Sequence, residues 1–113
     1  MPILVIREPA AAGEIAEMLA ELGLFIKLAV DVARDLLAGG GALHADCEQA
    51  LLEDGSRQED VWGADWYPDI REVGFESLIN VRPAQANTRL EIQSPEVRRS
   101  VELIVRRLLE LPR

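Results

Sequence analysis

Leu24–Ala38 read LFIKLAVDVARDLLA, and the fold turns on whether these residues form one helix or two strands. Ile26, Leu28, Val30 and Val32 alternate with Lys27, Ala29, Asp31 and Ala33, the period of a half-buried strand. Arg34 and Asp35 can then turn the chain into a second strand, Leu36 to Ala38. Against this, Leu, Ala, Arg and Lys are good helix formers, and the glycines that follow can end a helix. The alternation is given the greater weight, so the sequence predicts a hairpin.

On the N-terminal side, Ile3 to Ile6 is a short apolar run rich in β-branched residues and followed by Arg7, Glu8 and Pro9. It reads as a strand buried inside the sheet. From Ala10 to Leu22 the residues Ala11, Ile15, Met18, Leu19 and Leu22 recur at helical spacing, with Gly23 placed to end the helix. On the C-terminal side, Gly39 to Gly41 predict a sharp change of direction. A short helix from about Ala45 to Asp54 follows, with Asp46 as N-cap, Gln49 three residues on, Gly55 past its end and His44 in the entering loop.

Glu59 to Tyr67 reads as a strand with Trp62, Ala64 and Trp66 on its packed side and Val61, Gly63, Asp65 and Tyr67 on the other. After a turn at Pro68 and Asp69, Val73 to Val81 reads as its antiparallel partner, stopped by Pro83. Ala84 to Gln93 is polar, an ordered loop with a short extended piece at Leu90 to Ile92. Ser94, Pro95 and Glu96 start a last helix, whose stripe is Val97, Val101, Ile104, Val105, Leu108 and Leu111. The sum is a single α+β domain over residues 1–113, of order β-α-β-β-α-β-β-α. Its mixed or antiparallel sheet has four to five strands, and the three helices are expected on one face.

Of the 113 residues, 49% are hydrophobic and 28% charged, a globular composition. One cysteine excludes an internal disulfide framework and points to a reducing, cytoplasmic setting. No run approaches the roughly 20 apolar residues of a membrane span. A net charge of −8 argues against a nucleic-acid partner. The arginines at 98, 99, 106 and 107 are interleaved with Glu102 and Glu110 at helical ion-pair spacing, which makes a solvated helix face.

His44, Asp46, Glu48, Glu59 and Asp60 supply the nitrogen and oxygen ligand types of a divalent-metal hydrolase, but without paired histidines or a calcium-loop alternation. Cys47 lies in a first helical turn between two acids and reads as a packed thiol rather than a nucleophile. No lysine with serine or threonine follows the glycines in phosphate-loop register. The densest polar group is Arg57, Gln58, Glu59 and Trp62 at the start of one strand with Asn80 and Arg82 at the end of its partner. His44 stands at its edge. Antiparallel pairing brings these together, either as a receptor for a small anionic ligand or as the pins of the long loop.

The stretches GGGALHADCEQALLEDGSRQEDVWGADWYP and SLINVRPAQANTRLEIQSPEVR, above all LHAD, GSRQEDVWG and INVRP, resemble a family of short uncharacterised bacterial proteins defined as a domain of unknown function. The resemblance runs from Lys27 onward and implies no activity or catalytic residue. The leading expectation is a non-enzymatic binding or protein-interaction module without a cofactor, self-associating as a homodimer through the uncovered sheet face. The alternatives are a metal-dependent hydrolase centred on His44 and a binder of small anions at the polar cluster.

Overall fold

A computed structural model describes residues 3–112. The hairpin forms as predicted: β2 (Ile26–Asp31) and β3 (Leu36–Gly39) pair antiparallel, with Asp31 opposite Leu36 and Leu28 opposite Gly39. Its turn needs no glycine. Asp31 Oδ1 accepts the N–H groups of Ala33 at 2.9 Å and Arg34 at 3.0 Å, and Asp35 takes the left-handed conformation at φ 56°, which aspartate tolerates.

Around the hairpin runs a five-stranded sheet in the order β1-β3-β2-β4-β5, with every pairing antiparallel. The outer strands are β1 (Leu4–Ile6) and β5 (Glu72–Gly74), and β4 is Val61–Tyr67. The apolar run near the N-terminus therefore lies at an edge, not inside the sheet. α1 (Ala12–Leu19), α2 (His44–Glu53) and α3 (Pro95–Leu109) complete the α+β class and the expected element order.

The helices cover both faces rather than one. On the first, Ile26, Leu28, Val30, Leu37, Trp62, Ala64 and Trp66 pack with Ile15 and Met18 of α1 and with Val101, Ile104, Val105 and Leu108 of α3. Burying each such aliphatic side chain is worth about 1.5–3 kcal/mol relative to leaving it exposed. On the second, Cys47 and Leu51 of α2 pack on Ala29, Leu36, Ala38 and Val61. Ala29, assigned to the outer side of a half-buried strand, is fully buried. Small residues on that side admit a helix at close range, and their low hydrophobicity hides a core face. α2 thus covers the sheet face on which the expected self-association relied.

The helix ends show local chemistry at work. Gly23, at φ 87°, donates its N–H to Leu19 O at 2.8 Å and closes the turn after α1. Ser94 Oγ accepts from Val97 N–H at 3.3 Å with Pro95 at the first position of α3, while Leu111 falls past the helix and is exposed. In α2 the chain enters extended through Leu43, so His44 is the first helical residue and Asp46 sits inside the first turn instead of capping it.

The two strands after α2 are shorter than the alternation suggests. Gln58–Asp60 is a 3-10 turn leading into β4, and β5 ends at Gly74. Ser77 Oγ then accepts from Ile79 N–H at 3.2 Å and starts a 3-10 turn, Leu78–Asn80, a local bond that outcompetes the ladder. Leu90 to Ile92 does run extended against Phe75 to Ser77, with Ser77 N–H on Leu90 O and Ile92 N–H on Phe75 O, each at 3.0 Å.

Candidate functional site

The end of β5 leaves the outer edge of β4 open below Asp65, which pairs with Gly74. An open edge presents unpaired backbone groups, and here side chains take them. Asn80, fully buried, accepts Gly63 N–H at 2.8 Å on Oδ1 and returns Nδ2 to Gly63 O at 3.0 Å, as a neighbouring strand would. Its Nδ2 also lies 3.3 Å from Phe75 O and 3.1 Å from Leu90 O. Two residues along the same edge, Arg82 donates Nη2 to Val61 O, Nη1 to Gln58 O at 2.8 Å and Nε to Ile79 O at 2.8 Å.

The Arg82 guanidinium lies 4.7 Å from the centre of the Trp62 ring and 3.4 Å from Glu48 Oε2 on α2, so it ties the edge strand to the helix. Burial lowers its pKa from the ordinary arginine value, while the Glu48 carboxylate opposes that shift. Asn87 repeats the device one layer out, donating Nδ2 to Asn80 O at 2.8 Å and Glu91 O at 2.9 Å. Gly63 itself is required by packing: a β-carbon there would stand 2.5 Å from Ser77 Cβ.

Of the residues singled out in the sequence, Gln58, Trp62, Asn80 and Arg82 lie together. Arg57 and Glu59 meet each other at 2.8 Å on the exposed surface, and the Glu59 carbonyl receives Gln85 Nε2 at 3.0 Å. His44 makes its contacts beside this group. Its Nε2 is 2.8 Å from Asp65 Oδ1 and 3.1 Å from Ala64 O. Both are acceptors, so Nε2 carries the hydrogen and the neutral ring keeps its lone pair on Nδ1. Nδ1 has no partner among the described residues and is not sealed from solvent.

His44 lines a cleft of about 300 Å³ with Lys27, Leu43, Ala45, Ser77, Leu78 and Ile79, between the first turn of α2 and the Leu78–Asn80 turn. Its walls are mostly apolar, and two of them project into solvent: Leu43 is 56% exposed and Leu78 80%. Lys27, half-buried, donates Nζ to Ala42 O at 3.0 Å and makes no ion pair among the described residues. Sequence reasoning missed Asp65, Lys27, Leu43 and Leu78 as members of this place. The available signal was the phase of Leu43 and Leu78, apolar residues that fit neither a helix stripe nor a strand face.

Among the described residues no three His, Cys, Asp or Glu side chains gather as a metal site. The one carboxylate His44 meets among the described residues is Asp65, and Glu48 is engaged by Arg82. Cys47 is buried against Lys27 O at 3.5 Å, and burial pushes its thiol up to about 11. Iodoacetamide at pH 8 is therefore expected to alkylate Cys47 in the folded protein at least about 100-fold more slowly than in the urea-unfolded chain. Equal rates would contradict the packed position. No described helix is long and apolar enough to cross a membrane.

A family model described as a protein of unknown function (DUF5674) matches residues 4–108. No curated protein and no solved structure matches the chain.

Proposed function

Because the chain belongs to the DUF5674 family, whose description assigns no activity, we propose a function from geometry: a non-catalytic binding module whose ligand enters the cleft beside His44. The observation that carries this reading is the pair of projecting leucines, Leu43 and Leu78, flanking a mostly apolar cleft with an open imidazole nitrogen in its wall. Exposing two large aliphatic side chains beside a hollow forgoes their burial, and a bound apolar group recovers it. The polar groups present, His44 Nδ1 and the Lys27 ammonium, suit orientation of a ligand. The cluster at Arg82 is a weaker candidate for anion recognition, since its donors already meet carbonyl oxygens of Gln58, Val61 and Ile79.

Titration with hexanamide, followed by backbone amide shifts, tests the reading. Saturable shifts are expected at Lys27, Leu43 to Ala45 and Ser77 to Ile79, and Leu78→Asp should remove them with little change in melting temperature because Leu78 is exposed. Shifts confined to other parts of the chain would overturn it.

A further inference from the structure

Lys27 is the only lysine in a chain that carries 20 carboxylates. The ion pairs among the described residues join those carboxylates to arginines or to His44, and none includes Lys27. Its ammonium has three N–H donors, one of which goes to Ala42 O at 3.0 Å. Asp65, directly across the strand pair from Lys27, is turned to His44 Nε2 at 2.8 Å. A half-buried cation with donors to spare therefore stands in the wall of a mostly apolar cleft, in a protein of net charge −8.

Resting on the reading of that cleft as a binding site, we propose that its ligand is a small monocarboxylate with an apolar tail. The carboxylate meets Lys27 Nζ, and the tail lies along Leu43, Leu78 and Ile79. Charge complementarity selects the head group, because an anion supplies the ion pair that the chain's own acids do not. Volume limits the tail, since about 300 Å³ is at the lower end for small-molecule pockets. Asp65 is engaged by His44 Nε2 at 2.8 Å and makes no ion pair with Lys27, so the ammonium keeps its donors for the head group. His44 Nδ1, an acceptor in the neutral ring, contributes no competing donor there.

The test compares hexanoate with hexanamide, of nearly the same shape and without the charge, by amide-shift titration of the full chain. Hexanoate is expected to bind about fivefold more tightly, the upper end for a single accessible ion pair. Lys27→Met should abolish that preference by bringing hexanoate affinity down to that of hexanamide, with Lys27→Gln as a second variant should methionine perturb the fold. Equal affinities for the two compounds in the unmodified protein, or an unchanged preference in the Lys27 variants, would overturn the carboxylate proposal while leaving the cleft a site. Absence of shifts at the cleft with either compound would overturn the binding-module reading along with it.

Discussion

Asn80→Asp is expected to cost about 3–5 kcal/mol at neutral pH, a large part of the stability of a domain of this size. The side chain is fully buried and its Nδ2 group serves the carbonyls of Gly63, Phe75 and Leu90. An ionised aspartate keeps the acceptor for Gly63 N–H but turns its second oxygen on three carbonyl oxygens, leaving that of Gly63 unpaired and repelling those of Phe75 and Leu90, which keep Ile92 N–H and Ser77 N–H. The sign of the pH dependence follows. The folded variant favours the protonated acid, so the folded-state pKa of Asp at 80 lies above the unfolded value of about 3.9. Its penalty is therefore small below that value and grows as pH rises through the interval between the two. Urea melts at pH 4 and pH 7.5 check this, with Asn80→Ala as the control whose deficit should not change between the two. A pH-independent deficit for the aspartate variant would contradict the packing described.

Arg82→Ala is expected to cost about 2–4 kcal/mol, because it strands the carbonyls of Val61 and Ile79, takes one of two donors from that of Gln58, and leaves the half-buried Glu48 without its cation. Arg82→Lys should recover less than half of that loss. A single ammonium cannot reproduce three differently directed N–H contacts together with the guanidinium's contact with the Trp62 ring. Thermal melts of the two variants decide the matter. A shift of only a degree or two for the alanine variant would mean that the guanidinium faces solvent and is free for a ligand.

Much of the fold was legible because local chemistry and periodicity agreed. The strand alternation from Ile26 to Asp31, the glycine that closes the turn after α1 and the Ser-Pro-Glu start of α3 each had a physical cause written in adjacent residues. What failed were inferences that needed a third dimension. Ala29 reads as an outer-face residue in the alternation, yet α2 packs on it and on Ala38, so spacing alone left the sheet half bare. Val73 to Val81 alternated well enough to be drawn as one strand, yet Ser77 folded the chain over Gly63.

The site was legible in the same uneven way. Gln58 and Trp62 do lie near Asn80 and Arg82, but through the Leu78–Asn80 turn and the side chains beyond it, not through the long antiparallel pairing expected. The amides and the guanidinium stand in for the missing strand. What sequence spacing did not disclose is that these donors point inward. Nor did it place His44 on Asp65, since that contact depends on which sheet face α2 covers.

The central claim, that Asn80 and Arg82 complete the sheet where β5 stops, is tested most directly by native-state hydrogen exchange at the Gly63 amide. Its N–H points away from β2 and has Asn80 Oδ1, at 2.8 Å, as its partner. If the side chain serves as a strand, Gly63 should be protected as strongly as the central amides of β2 and should lose that protection in Asn80→Ala before those amides do. Exchange of the Gly63 amide at the rate of an open edge in the unmodified protein would contradict the account.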